Sequence, residues 1–413
     1  LAKLPNASRI THTITVDGSD QEVEVTNDYP SVRAGYIRVA RSLVDLDALH
    51  KAVSGPFPDT RAISRAHGSY GFDAALPGSG LTLPGMSGLD SWRSETNRLL
   101  HTAVIDPELK TTLADVVFAV HGDPGRPADT IIVTHCPNDL CPNRIPISGT
   151  LFVGRNGGHC PTCGVELYLS DVLRTADEYD PEGTNFASLT RVMSIAERLM
   201  TFGFLDFFQR ESPGILGATL FVTDGPLALF GAPAAMARPF ARFLSNISST
   251  LAENGHSAPL LVGVEKSGRF FDHAQHIRDF IPRGSVMRLT NDYINQRIVS
   301  RPVSNIYGEK FFYGRRFFYR TTAGDILVIT VPAKSNVAPY SDDPASDSWS
   351  SYPTLGHICG TLDSLQTRMY SDAVIPVALA HGSASLPMGI GHSVLTLKAQ
   401  QDIPGLGVQA RAL

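Results

Sequence analysis

The stretch from Leu216 to Gly231 constrains the fold more than any other. Its middle, Ala218-Thr-Leu-Phe-Val-Thr223, is apolar on both parities, ends at Asp224, and is broken by Gly225-Pro226. A strand that is apolar on both sides is covered on both faces, as in the middle of an α/β sheet flanked by helices. Open sheets place ligands beyond the C-terminal ends of such strands, which is where Asp224 stands. An aspartate there either caps the following turn or helix or ligates a metal. The second use requires partners from elsewhere in the chain.

The chain is long enough for them. It has 413 residues, 43% hydrophobic and 18% charged, which suits a globular molecule with a large core and roughly two or three domain-sized units. A net charge of −5 excludes a highly basic nucleic-acid coat but leaves room for a local basic groove. No apolar run reaches the ~18 residues of a membrane span, and Leu1-Ala-Lys-Leu-Pro-Asn6 offers no apolar signal region. The absence of Met at the start reads as a chain that begins inside a longer one. Asn6-Ala-Ser8 and Asn246-Ile-Ser248 match the glycosylation pattern, as chance matches in a cytoplasmic protein.

Of the 5 cysteines, four form two close pairs, Cys136/Cys141 and Cys160/Cys163, while Cys359 stands alone. An odd count with tight pairs fits metal binding in a reducing compartment such as the cytoplasm, not a secreted disulfide framework. Each pair supplies half of a tetrahedral zinc site, and Gly164 fits the tight turn after a zinc knuckle. Four thiolates close the coordination sphere, so this Zn²⁺ is expected to be structural. His135 and His159 adjoin these cysteines as substitute ligands, though four sulfurs suffice. Residues 135–170 therefore read as an inserted zinc-ribbon-like module.

Around it the pattern is mixed. Residues 10–16 alternate as a strand and lead into Asp17-Gly18-Ser19-Asp20, a turn signal after which Gln21–Val25 returns as a hairpin arm. Tyr36 onward is a third strand or the start of a helix. Residues 55–89, rich in Gly, Pro and Ser, predict a long irregular loop. Residues 91–104 predict a helix capped by Ser91, with Trp92, Leu99, Leu100 and Val104 inward. Residues 113–120 are apolar again, and 131–134 form a short strand. The longest helical pattern is 186–208, with Phe186, Leu189, Met193, Ala196, Leu199, Met200 and Gly203 on one face and Glu197 at its edge. Residues 234–253 predict a helix and 259–265 a buried strand running into Lys266. Residues 309–313, 315–321 and 326–331 predict a meander. Its first two arms interleave Phe311, Phe312, Tyr313, Phe317, Phe318 and Tyr319 with Lys310, Arg315, Arg316 and Arg320, as a nucleic-acid surface or as a half-buried sheet with a basic outer face. Residues 340–351 read as a solvated loop and 355–369 as a helix. The apolar run from Val374 ends at His381, which is structural unless acids converge on it.

Asp17 and Asp224 are strand-end acids, and Glu197 lies on a helix before the second strand. A mixed sheet with flanking helices can bring such positions together. Clustered carboxylates repel one another and persist where a divalent cation neutralises them. Oxygen ligands favour Mg²⁺ or Mn²⁺, and an imidazole from His381 tilts the choice to Mn²⁺.

Seven segments carry a family resemblance: Val16-Asp17-Gly18-Ser19, Tyr29-Pro-Ser-Val-Arg33-Ala-Gly-Tyr36-Ile37, Ala196-Glu197-Arg198-Leu199, Thr223-Asp224-Gly-Pro-Leu227, Val262-Gly-Val-Glu-Lys266-Ser-Gly268, Tyr313-Gly-Arg-Arg-Phe317 and Ala378-Leu-Ala-His381. In this order and spacing the chain resembles the NurA nucleases in their bacterial form, over most of its length outside the cysteine module. The resemblance implies an RNase H-like α/β fold, a mixed sheet flanked by helices, with residues 1–134 and 171–413 as the two parts of the nuclease core. It implies Mn²⁺-dependent cleavage of DNA and a homodimer that works with a hexameric HerA-type ATPase in DNA end processing; anti-phage defence needs the same site and is the other setting for it. By position it implies metal-binding roles for Asp17, Glu197, Asp224 and His381, with Glu211 competing for the place of Glu197. Lys266 and Tyr313 would position phosphate or water. The rival expectation is a non-catalytic DNA-binding or scaffold subunit that keeps the fold.

Overall fold

The computed structural model describes residues 10–26, 32–53, 59–145, 151–300, 306–334, 337–341, 343–365 and 375–385. Asn6-Ala-Ser8, Tyr29-Pro-Ser31 and Val374 lie outside them.

The chain opens with β1 (His12–Thr26), β2 (Val32–Asp45), α1 (Leu46–Val53), α2 (Thr60–Arg65) and β3 (His67–Pro77), followed by α3 (Gly88–Thr102) and α4 (Leu113–His121). A small module follows, with β4 (Thr130–Ile132), β5 (Phe152–Gly154), β6 (Gly158–His159) and β7 (Glu166–Leu167). Then come α5 (Leu169–Leu173), α6 (Phe186–Glu211), α7 (Pro213–Leu216), β8 (Thr219–Asp224), α8 (Ala237–Glu253), β9 (Leu260–Glu265), α9 (Arg269–Ile277), β10 (Ser285–Arg288) and α10 (Asn291–Tyr293). The last elements are β11 (Arg315–Arg320), β12 (Ile326–Val331), α11 (Leu355–Ser364) and α12 (Ile375–Ala384).

Eight strands form one mixed sheet in the order β10-β11-β12-β9-β8-β1-β2-β3. The three central strands, β1, β8 and β9, are parallel, and antiparallel strands flank them on both sides. On one face lies α6, backed by α4 and α8, through Leu189, Val192, Ala196, Leu199 and Met200 packed on Ile14, Val16 and Phe221. The opposite face is covered by α1, α11 and α12, through Leu49, Ile358 and Val377 on Leu220, Val222 and Val262. Sequence from before and after the cysteine module thus builds one sheet. The β4–β5 hairpin pairs Ile131 with Val153.

Several expectations need correction. Asp17-Gly18-Ser19-Asp20 is no turn: β1 is one 15-residue strand paired along its length with β2. Asp-Gly favours a turn in isolation, but here both faces of the strand are occupied by packed helices and tertiary pairing prevails over local preference. The expected loop at 55–89 contains α2 and β3, whose Gly-rich run, His67-Gly-Ser-Tyr-Gly, lies on a sheet edge with open space at Gly68 and the β2 backbone too close for a side chain at Gly71. The cap of α3 is Ser87, which accepts from the Asp90 amide at 3.1 Å, and Val104 falls past the helix end. Phe186, at the start of α6, is 49% exposed.

The meander has two arms, not three. Residues 309–313 form a turn with a single bridge, Phe312 to Ala228. Nor is there a basic outer face, because Arg315 and Arg316 are buried. Arg315 donates to the carbonyls of Ser346 and Leu289, and Arg316 forms a two-pronged pair with Glu265 at 2.5 and 2.7 Å. The serine-rich segment after 340 is not solvated throughout, since Tyr340, Ser346 and Ser351 are buried over that arginine cluster.

Candidate metal centre at the end of the parallel strands

Register decides which acids can meet. β1 and β8 run parallel with Val16 opposite Thr223, so Asp17 and Asp224 follow side by side. Side chains alternate along a strand. Ile14, Val16 and Gly18 therefore face α6, while Asp17 and Asp224 face α12. There His381 closes the group: its Nδ1 lies 3.0 Å from Asp17 Oδ2. One ligand atom each from Asp17, Asp224 and His381 falls within 4.8 Å of the others. Two tethers fix α12 in this place, from Ser19 Oγ to the Ala384 carbonyl and from Arg38 Nε to the Ser383 carbonyl at 3.0 Å.

Asp17 is buried, and the loss of water, followed by the charge of Asp224, raises its pKa, while His381 and Lys266 oppose the rise. Lys266 lies 3.0 Å from Asp224 Oδ2 and is the nearer cation. The donor set of two carboxylates and one imidazole fits Mn²⁺ or Mg²⁺, whose charge would relieve the repulsion that the protein alone leaves in place.

Glu197 stands apart from that group. It rises from α6 on the opposite face of β1, beneath Gly18. A Cβ at Gly18 would sit 2.8 Å from Glu197 Oε1 and 2.7 Å from Met193 Cγ, so only glycine lets α6 come this close. The Gly18 amide donates to Asp17 Oδ1 at 2.9 Å, so this residue lies between the two carboxylates. Burial pushes the Glu197 carboxyl up to about 8; Arg198 opposes the rise, and the charges of Asp17 and Asp224 add to it. Glu211, the competing acid, lies at the exposed end of α6 beside Arg210.

Arg198 is the residue that sequence reading passed over, though a charged pair within the apolar stripe of α6 was the available signal. Its buried guanidinium pairs with Glu197 and reaches the carbonyls of Asp224 and Pro226 at 3.5 and 3.4 Å. Tyr313 belongs to the same knot. It is buried against Phe202 and Phe240, with its phenol beside Arg198, and it faces the core and not solvent.

The second cluster is sulfur. Cys136 and Cys163 have their Sγ atoms 3.6 Å apart, Cys141 and Cys160 3.8 Å apart, and all four lie within 4.8 Å of one another. A tetrahedron of sulfurs at the usual Zn–S distance has edges of about 3.8 Å. The spacing therefore fits Zn²⁺. His135 and His159 are not part of the cluster. Cys359 is buried in α11, as a small apolar side chain would be.

No protein-family model matches the sequence, and no curated relative matches it. Among solved structures, one described as the NurA nuclease from Sulfolobus solfataricus is similar at 10% identity, covering 97% of this chain and 88% of that chain, with a TM-score of 0.33. Another, described as NurA, is similar at 10% identity over 97% and 90%, with a TM-score of 0.28. Likeness of that degree establishes neither a shared fold nor a shared activity. Among the described residues, no helix is long and apolar enough to cross a membrane.

Proposed function

We propose that the chain is a metal-dependent deoxyribonuclease of the NurA kind, with an RNase H-like core formed by residues 1–134 and 171–413 around a zinc-ribbon-like insertion at 135–170. The observation that carries this reading is the convergence of Asp17, Asp224 and His381, residues far apart in the chain, where the parallel pairing of β1 with β8 ends. The run β3-β2-β1-β8-β9, with β8 parallel to β1, supports the RNase H-like part.

Asp17, Asp224 and His381 would hold Mn²⁺. A divalent ion in that place supplies activation of water and stabilisation of the leaving oxygen in phosphodiester hydrolysis. Lys266 restrains Asp224 and offers its ammonium to a phosphate. Glu197, clamped by Arg198 on the far side of β1, would act on the centre through the strand, by fixing Gly18 beside Asp17. Tyr313 acts through Arg198, by holding it. DNA is the substrate in this reading, a homodimer the working form and a HerA-type hexameric ATPase its partner in end processing or defence.

The test is digestion of end-labelled DNA with Mn²⁺, with and without the cognate ATPase. Asp224→Asn should abolish cleavage while the protein keeps its fold and its zinc. Cleavage by this variant at the wild-type rate would refute the assignment. A scaffold subunit would instead take up zinc at the cysteines and no Mn²⁺.

A further inference from the structure

The chain leaving β8 meets the approach to β11 in a short paired stretch. Ala228 bridges Phe312, the Leu229 amide donates to the Phe311 carbonyl at 2.9 Å, and the Tyr313 amide donates to the Leu227 carbonyl at 3.0 Å. Phe312 is the wedge beneath, buried and edge-on to Phe230 with ring centroids 5.9 Å apart. Its two outer neighbours stay open. Phe230 is 42% and Phe311 39% exposed, with their rings in contact at 6.1 Å between centroids. Lys310 beside them is exposed as well. This is the outward-facing remnant of an aromatic and basic stretch whose Arg315, Arg316 and other rings are spent inside the core.

Two large apolar rings on a pinned backbone lose binding-competent orientations less readily than rings on a free loop, so they cost little further entropy to use. Phe230 also follows on the strand that carries Asp224. Five residues separate Phe230 from Asp224, a reach of at most about 20 Å, and Arg198 ties the connecting loop to α6 at the Pro226 carbonyl, 3.4 Å away. The patch is small. Glu309, Lys310 and Gly231 border it and all are exposed, whereas a protein partner would want a broader continuous apolar surface. An aromatic face with an ammonium alongside is the chemistry that holds an unpaired nucleobase and its phosphate.

We propose that Phe230 and Phe311 form a stacking platform for unpaired nucleobases, guiding a single-stranded DNA end toward Asp17, Asp224 and His381. The proposal rests on the nuclease reading for its place in the reaction, but stacking is measurable without cleavage. The probe is a short single-stranded oligonucleotide carrying 2-aminopurine, titrated in buffer without added divalent ion. Phe230→Leu and Phe311→Leu keep an apolar side chain of similar size at exposed positions, and zinc content and melting temperature report on the fold. Each is expected to weaken binding about tenfold, equivalent to roughly 1.4 kcal/mol, and to lessen the change in 2-aminopurine emission. Tryptophan at either position should restore both. The platform is overturned if the double leucine variant binds as wild type, if tryptophan fails to restore binding, or if the variant keeps its DNA affinity but changes oligomeric state. The two readings separate cleanly. Wild-type protein that binds with this ring dependence yet shows no Mn²⁺-dependent cleavage sinks the nuclease reading and leaves the platform. Cleavage by wild type with ring-independent binding does the reverse.

Discussion

Replacing Asp17 by Asn tests whether the carboxylate cluster is built for a cation. The change keeps the shape of the side chain and an oxygen to accept from the Gly18 amide, but removes one charge. In the metal-free protein that charge is a burden: it is buried, and Asp224 stands within 4.8 Å. Two unit charges at that separation repel by about 3.5 kcal/mol at an effective dielectric of 20 and by about 0.9 kcal/mol in water. Asp224 is 28% exposed and Lys266 screens it, so the water-like end applies to this pair, and relieving it is expected to gain about 1 kcal/mol in metal-free Asp17→Asn, to which relief of the buried charge adds. A chain of 413 residues unfolds with an entropy near 0.9 kcal/mol/K. The gain from this pair is therefore about 1 °C in Tm. Added Mn²⁺ at a hundred times its Kd should stabilise wild type by about 2.7 kcal/mol, or about 3 °C, and should leave the variant nearly unmoved. The sign with pH follows from the raised pKa of Asp17. The native state holds the proton more tightly than the unfolded chain, so this contribution is complete below the ordinary Asp value and is lost as pH rises through the raised one. Metal-free wild type should lose stability across that window while the variant does not, and the Mn²⁺ shift of wild type should grow over the same range. Thermal melts with and without Mn²⁺ read all of this. An Asp17→Asn protein that is markedly less stable without metal, or that gains as much from Mn²⁺ as wild type, would refute the reasoning.

Cys160→Ser should remove zinc and loosen more than its own loop, because Cys136, Cys141 and Cys160 share a core with α3, α4 and α6. Zinc content should fall and proteolysis should open first between residues 130 and 167; an unchanged digestion pattern in zinc-free protein would contradict this. Arg316→Met should cost about 3–5 kcal/mol by stranding the buried Glu265 carboxylate, and adding Glu265→Leu should recover much of that loss. Denaturant melts of the two single variants and the double variant give the coupling, and strictly additive losses would argue against the pair.

Long-range layout was legible where burial on both faces wrote itself into composition. The apolar runs of β8 and β9 and the stripe of α6 left few alternatives, and the four cysteines announced their cluster by spacing alone. What misled were signals that local chemistry and tertiary structure read differently. Asp17-Gly18 is a turn by preference, yet glycine is needed there because α6 passes within contact of the strand. Arg315 and Arg316 alternate with aromatics as on a solvated sheet. The sequence does not show that Glu265 and a set of carbonyls from residues 289–346 lie waiting inside for them. Buried charge is the exception that periodicity alone treats as surface.

The turn and the metal centre are one problem. Had the chain reversed at Asp17, β1 would have ended before its pairing with β2 from Gly18 to Thr26, and Ser19 could not anchor α12 through the Ala384 carbonyl. His381 would then have no fixed position against Asp17. Continuing the strand also fixes the face. A slip of one residue against β8 would turn Asp17 toward α6 and bring Gly18 to the place where the carboxylate now meets Asp224. Asp17 and Asp224 converge because the strand runs on through a glycine that favours a turn, and the missing side chain of that glycine lets α6 pack against the other face.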